Sequence, residues 1–389
     1  MKIKQKYPSI SYLEEGAKNR IPKFAWDYLE GGGVRETCIA RNRMSFDQWS
    51  LTPKHLAELK SNPSITKKLF NHNFDAPFGV APIGLNGLIW PKSSEYLSLA
   101  ARRQNLPFVL SMYATASLED IAAIGAPANT WFQHYPQNHQ SINHAIIMRA
   151  KDAGYETLVI TVDVPTTRKV RDIRNGLTLP IRPSVKMFYE VLKRPKWAFA
   201  TLRNGTPNFP NWFPHMPEHY RRDQMAKFLE ELPIRPHQTT IEELVWYRDI
   251  WSGKVIVKGV LHEDEALKCK KLGIDGIILS NHGGRQLDEA PSALEMLAQV
   301  RRSVGLQYPL LVDGGFRSGG DIATAIALGA DFVLLGRPFM FGMAALGRLG
   351  AEHVMELLRE ELLNAMYQLG CTTVSRLPDF LSVVSPPSD

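Results

Sequence analysis

The stretch Gly276-Ile-Ile-Leu-Ser-Asn-His-Gly-Gly-Arg-Gln286 decides how the rest of the chain is read. Its first half is short, apolar and β-branched, the mark of a strand buried on both faces. Its second half sets a histidine, two glycines, an arginine and an amide within one turn. A strand of this kind fixes the backbone, while His282 can move a proton and Arg285 can grip an anion through two parallel hydrogen bonds. Gly283 and Gly284 permit a sharp turn and leave room for a flat ligand against the main chain. In isolation the same residues also fit a hydrogen-bonded loop histidine beside a surface charge, so the rest of the chain has to decide.

Outward from that strand a rhythm appears. Apolar β-type runs recur at 78–81, 107–110, 130–132, 157–162, 255–257, 276–279, 309–312 and 332–335. Helix-like stretches lie between most of them, at 94–104, 141–153, 263–272, 293–304 and 320–328. Eight strands alternating with helices over roughly 270 residues is the pattern of an α/β fold of the (β/α)8 kind, a TIM barrel. The expectation is one domain over 1–389, with the barrel at about 76–345, helices before it and a long insertion after strand four. An open doubly wound sheet is the alternative, weakened because no Gly-x-Gly-x-x-Gly follows the first strand.

Each run ends in polar or glycine-rich chain: Pro82-Ile-Gly84, Ser111-Met-Tyr113, Gln133-His-Tyr135, Asp163, Lys258, Ser280-Asn-His282, Asp313-Gly-Gly315 and Gly336-Arg337. A barrel gathers these ends on one rim, where enzymes of that fold keep their sites. The last two ends, with Arg317 and a helix starting at Gly320, read as a phosphate site.

Ahead of the barrel, residues 11–16 and 22–30 read as short helices, the second stopped by Gly31-Gly-Gly33. Tyr28 on that second helix reads, by residue type, as a packing residue. Between Asp163 and Val255 the chain is far longer than a barrel connection needs. Its part at about 180–237 is rich in proline and aromatics, including Trp197, Phe209, Trp212, Phe213 and Tyr220, and its basic residues outnumber acidic ones about two to one. Such a segment fits a lid, a structureless linker or an interfacial anchor on anionic lipid.

The 389 residues are 44% hydrophobic and 22% charged, ordinary for a globular chain with a sizeable core. The formal charge of +7 suits anionic ligands or an anionic membrane surface, and no repeated stacking platform argues for nucleic acid. Cys38, Cys269 and Cys371 are scattered, with neither a disulfide framework nor metal-ligand spacing. No secretory signal or uncharged membrane-length run is evident. The expectation is a cytoplasmic protein without a metal, peripheral at the inner membrane if the basic insertion is an anchor.

Six motifs together carry a resemblance: Ser280-Asn-His-Gly-Gly-Arg-Gln-Leu-Asp288, Asp313-Gly-Gly-Phe-Arg317, Gly336-Arg-Pro338, Thr161-Val-Asp-Val-Pro165, Val257-Lys-Gly259 and Asp27-Tyr28. With these matches falling in one order along the chain, over about 21–370, the chain resembles the FMN-dependent α-hydroxy-acid oxidase/dehydrogenase family. Gly84-Leu-Asn-Gly-Leu-Ile-Trp-Pro-Lys92 and the basic insertion look most like the bacterial, membrane-associated L-lactate and mandelate dehydrogenases. The resemblance implies FMN across the barrel mouth. Lys258 would stand at the flavin N1/O2 edge, with Ser111, Gln133 and Thr161 bonding the ring, Pro82, Ile83 and Gly84 beside N5, and Ser280 a further contact. Asp313 would hold the ribityl chain, and Gly315, Arg317, Gly336 and Arg337 the phosphate. His282 would act as base with Asp163 behind it, Arg285 and Tyr28 would clamp the substrate carboxylate, and Tyr135 would bond the reacting oxygen.

Three departures touch substrate identity. The segment after Pro165 is shortened, which makes Arg168, rather than Lys169, the second substrate-binding cation. Tyr113 stands where glycolate oxidase has tryptophan, and His134 where many relatives have leucine. The implied reaction is oxidation of an L-2-hydroxy acid to the 2-oxo acid by a homo-oligomer, a tetramer by family habit. Electrons would pass to a quinone or another acceptor, with oxygen as the alternative. Competing classes are a flavin isomerase and a non-catalytic membrane-associated binding protein on a degenerate barrel.

Overall fold

Eight short apolar runs form parallel strands that close on themselves: β1 (Phe78–Val80), β2 (Phe108–Ser111), β3 (Thr130–His134), β4 (Thr157–Thr161), β5 (Lys254–Val260), β6 (Gly276–Leu279), β7 (Leu310–Asp313) and β8 (Phe332–Leu335). Each pairs with the next, and β8 returns to β1 with Val333 opposite Phe78. This closure is the expected TIM barrel and rules out an open sheet. The computed structural model describes residues 2–56, 61–166, 168–177, 184–221, 224–225, 227–228 and 237–383, so parts of the expected insertion (180–183, 222–223, 226 and 229–236) lie outside the described residues.

Period-two alternation divides the strand residues. Val109, Val159, Ile256, Ile278, Leu311 and Leu334 fill the barrel with Trp131 and Phe332, while Leu110, Leu158, Ile160, Ile277 and Val312 pack outward under the helices. A hairpin of residues 67–74 plugs the strands' starting end. Its Phe74 ring lies 5.4 Å from that of Phe332 and 6.5 Å from that of Trp131. The other rim is left for chemistry. On that rim β5 shifts register between Lys258 and Val260. Gly259 sits there at φ +106°, where a Cβ would lie 2.6 Å from that of Asp163. The bulge and the missing side chain let Asp163 and Lys258 share the mouth.

A one-turn helix at Ile3–Lys6 and three longer helices precede the barrel: α1 (Ile10–Arg20), α2 (Lys23–Glu30) and α3 (Thr37–Met44). Helix α1 was expected to stop at Gly16 but runs on to Arg20. Gly16 is there for close packing, since a Cβ would meet the Tyr7 ring at 2.6 Å. The described part of the insertion contains α4 (Val185–Leu192) and α5 (Pro195–Asn204), then a 3-10 turn at Pro210–His215. They are docked, not structureless. Trp197 is buried edge-on against Phe24, 5.8 Å between rings, and its indole N–H donates to the Leu88 and Ile89 carbonyls. After β7 and β8 come α6 (Gly319–Ala327) and α7 (Arg337–Leu346), followed by α8 (Gly350–Leu369), a helix not expected from the strand rhythm. Among the described residues, no helix is long and apolar enough to cross a membrane.

Candidate active site

The loop after β6 carries the centre of the site. His282, Gly283 and Gly284 take φ of 59°, 65° and 76°, three left-handed residues in a row. Two are glycines for that reason, and Gly284 has a second one: a Cβ would stand 2.8 Å from the Ile39 amide. A left-handed histidine is strained unless its surroundings hold it. Here the His282 amide donates to Ser280 Oγ at 2.9 Å, and Asn281 accepts from the Gly284 amide at 3.1 Å. Asn281 also exchanges side-chain hydrogen bonds with Asn42 of α3, at 3.0 and 2.7 Å. The motif reading missed Asn42, because nothing local marks a polar residue on one helix as the partner of a loop far along the chain.

The turn aims the imidazole across the mouth. His282 Nδ1 lies 3.0 Å from Asp163 Oδ1, and Nε2 lies 3.4 Å from the Tyr135 hydroxyl. Burial draws His282 below the usual imidazole value, Asp163 partly offsets this, and Lys258 and Lys169 add to the lowering. Burial alone would raise Asp163, but His282 and then Lys258 hold it below the usual carboxylate range. The result is a neutral imidazole backed by an ionised carboxylate. Lys258 Nζ lies 2.7 Å from Ser280 Oγ and 2.9 Å from Asp313 Oδ2. Burial works against its charge, but Asp313 and Asp163 outweigh that and hold the ammonium above its ordinary value.

On the facing side Arg285 lies 4.9 Å over the Tyr28 ring and donates to the Tyr28 and Gly31 carbonyls at 2.7 and 2.9 Å. Tyr28 donates to the Gly84 carbonyl at 2.9 Å, and burial pushes its phenol up to about 12. So Tyr28 belongs to the mouth, not merely to the core. Arg168 does not: it is exposed. The neighbouring Lys169 is the cation that feels Arg285 and His282, and burial, then Arg285, pulls it down to about 7. His134 likewise stays out of the pocket. It is fully buried on the outer face of β3, within 3.2 Å of both Asn143 Oδ1 and the Tyr247 hydroxyl, and burial lowers it to about 3. Tyr113 does wall the mouth, its ring 5.5 Å from Tyr135, 5.9 Å from Phe209 and 5.5 Å from Trp212.

Several buried polar atoms lack partners. Both side-chain heteroatoms of Gln133, Thr161 Oγ1 and Asp313 Oδ1 are enclosed with no hydrogen bond. Each would cost about 1–3 kcal/mol if left so, so these four atoms call for a ligand offering several donors and acceptors. They stand at the ends of β3, β4 and β7, the strand ends on the same rim as Lys258, Ser111, Ser280 and the backbone of Pro82, Ile83 and Gly84. A flavin ring with a ribityl chain fits that donor set.

The phosphate end needs two corrections. Most amides at the start of α6 are already taken: Ser318 Oγ accepts from Asp321, the Asp321 carboxylate from Arg317 and the Glu361 carboxylate from Gly319, which leaves the amide of Gly320. Arg337 is not free either. Its guanidinium donates to the carbonyls of Leu29 (3.0 Å), Gly283 (2.8 Å) and Gly31 (3.1 Å), with Glu30 Oε1 at 3.6 Å. The orphan carbonyls at the C-terminal end of α2 are the physical reason, since that end attracts cations. What remains for an anion is Gly315, Gly320, Gly336 at the side-chain-uncapped start of α7, and Arg317, which has no ion pair among the described residues.

Comparison with known proteins agrees with this geometry. The model of the FMN-dependent dehydrogenase family matches residues 17–382. The chain is 38% identical to (S)-mandelate dehydrogenase of Pseudomonas putida, over 94% of this chain and 91% of that one. It is 33% identical to a putative L-lactate dehydrogenase of Mycobacterium tuberculosis, over 95% and 87%. A crystal structure described as monotopic membrane protein (S)-mandelate dehydrogenase superposes with a TM-score of 0.90 at 36% identity, covering 97% of this chain and 99% of that one. A match running nearly end to end, onto a barrel whose unsatisfied groups suit a flavin, leaves one conclusion: the chain belongs to the FMN-dependent dehydrogenase family and is an oxidoreductase that uses FMN.

Proposed function

We propose that this protein oxidises an L-2-hydroxy carboxylate with an aryl or other bulky side chain to the 2-oxo acid. The observation that carries this reading is the His282–Asp163 pair facing Tyr135 and Arg285 around one opening. FMN, when bound, supplies the acceptor for the two electrons. Arg285 keeps nitrogens free beyond the one bound to Tyr28 and Gly31, and those hold the substrate carboxylate. The neutral His282 takes a proton from the hydroxy-bearing carbon unit through Nε2. Asp163, on the opposite nitrogen, stabilises the imidazolium so formed. Tyr135 stays protonated, its phenol raised well above normal by burial and then by Asp163, so it donates to the reacting oxygen. The wall of Tyr113, Phe209 and Trp212 favours an aromatic side chain over a methyl group. An anaerobic panel of L-2-hydroxy acids tests the reading: aryl members should bleach the flavin faster than lactate. No bleaching by any member would end it.

Lys169 gives this site a pH dependence. It is a cation below about 7 and neutral above, so raising the pH removes a charge facing the carboxylate. KM is expected to rise roughly tenfold from pH 6 to pH 8, the worth of one charged hydrogen bond, with kcat changing less. Lys169→Met should have a high KM at both pH values, and Lys169→Arg a low one. A KM for the unmodified protein that is flat over this range would remove Lys169 from the substrate site.

The same reading puts the enzyme at a membrane surface, handing electrons to a quinone. Val185, Phe188, Tyr189 and Leu192 form an i, i+3, i+4, i+7 stripe on α4, and Phe199 and Leu202 continue it on α5; all six are exposed. An exposed apolar stripe flanked by lysines suits an interfacial helix pair. The relative that superposes so well is itself described as a monotopic membrane protein.

A further inference from the structure

A groove of about 570 Å³ opens between α1 and the turn that joins α4 to α5, and none of its lining residues belongs to the strand-end site. Five of those residues are Lys6, Arg20, Lys193, Arg194 and Lys196, against a single acid, Glu15. None of the five cations has an ion pair among the described residues. Arg20 lies 4.4 Å over the Trp90 ring and donates through one terminal nitrogen to the Ala345 carbonyl. Its Nε is enclosed with no acceptor. Arg194 donates through two of its three nitrogens to the carbonyls of Ile21 and Lys193, and Lys193 rests over the Tyr189 ring at 4.1 Å. Like charges gathered in one concavity repel unless an anion joins them. The groove adjoins Tyr189 and Leu192 of the exposed apolar stripe, so the charge and the apolar face meet along one edge.

We propose that this groove seats the phosphate of an anionic phospholipid headgroup while the α4–α5 stripe enters the acyl boundary. The inference rests on the membrane reading given above. It adds that the protein selects lipids by charge at a built site that includes a residue of the N-terminal helix, outside the insertion. Arg20 fits this role through its planar fork, which grips two phosphate oxygens and is already held flat by Trp90. The lysines add a wider field that falls off within a Debye length.

Sedimentation with vesicles tests it. Full-length protein should partition onto phosphatidylcholine vesicles containing phosphatidylglycerol at least tenfold more strongly than onto pure phosphatidylcholine. Arg20→Gln with Lys193→Gln should lose about fivefold per cation on the anionic vesicles and nothing on the neutral ones. Arg20→Lys should recover only part of the loss, and Arg203→Gln, a cation on α5 outside the groove, should lose clearly less than Arg20→Gln. Substrate-driven flavin bleaching in solution, unchanged in these variants, verifies folding. Equal losses for Arg203→Gln and Arg20→Gln would mean a diffuse charge film and overturn the seat. Inorganic phosphate that displaces the protein no better than chloride at equal ionic strength would overturn it too. Phe188→Ser with Phe199→Ser tests the parent reading separately: it should lower binding to both vesicle types. If it changes neither, the membrane reading fails, whatever Arg20 does.

Discussion

His282→Ala should keep bound FMN but slow anaerobic flavin reduction by the preferred hydroxy acid about 1,000-fold, within the range for a lost general base. The expectation rests on position and on charge state. His282 is held in a left-handed turn with Asp163 on one nitrogen at 3.0 Å and Tyr135 near the other at 3.4 Å. The other strand-end histidine, His134, is committed to Asn143 and Tyr247 behind the barrel wall and cannot substitute. A base works in its neutral form, and burial lowers the His282 pKa despite Asp163. The acid limb of the reduction rate in the unmodified protein therefore lies below the ordinary histidine value of about 6.5. Full-speed bleaching by the alanine variant, or an acid limb above that value, would dismiss His282 as the base.

Lys258→Met should be comparably severe for a different reason. Its ammonium is buried between Asp313, 2.9 Å away, and Asp163, whose charges hold it protonated. Removing it leaves two enclosed carboxylates without their cation, a change that costs about 3–5 kcal/mol when a buried pair is broken. It also removes a buried positive charge from the strand paired with Thr161. A lost electrostatic stabiliser of this kind slows a reaction by about 100- to 1,000-fold. Carried into the two-electron potential of bound FMN, the same energy is a fall of about 60–90 mV. Thermal unfolding, the potential and the bleaching rate are to be measured together. A destabilised variant with an unchanged potential would make Lys258 a structural ion-pair member only.

The barrel was legible because its signals are local. A strand buried on both faces is an apolar run wherever it occurs, and a loop such as Gly283-Gly284 advertises its left-handed backbone. His282, Asp163, Tyr135, Lys258 and Arg285 were legible for a related reason. Lys258 lies near the end of β5 and the others in the segments that follow β3, β4 and β6, and parallel closure leaves strand ends no choice of rim. The misreadings share the opposite character. The first helix was expected only as far as Gly16, and that glycine is instead a mid-helix contact with Tyr7. Arg168 and Lys169 differ only in which way adjacent residues point, and the shortened loop reverses the expectation. The Gly319 amide and the Arg337 guanidinium looked available to a phosphate, but their acceptors lie on Glu361 and at the end of α2, far away in sequence.

The order of residues by itself determined a closed parallel barrel and the kind of chemistry at its mouth, because hydrophobic period and turn composition act over a few residues. Only the tertiary structure decided which charged groups are free and which are already occupied. It set Arg337 on main-chain carbonyls, left Lys169 facing Arg285, and gathered Arg20 with Lys193 and Arg194 into an acid-poor groove. A hydrogen bond or an ion pair is made with whatever lies within about 3–4 Å in space, and that distance is written nowhere along the chain.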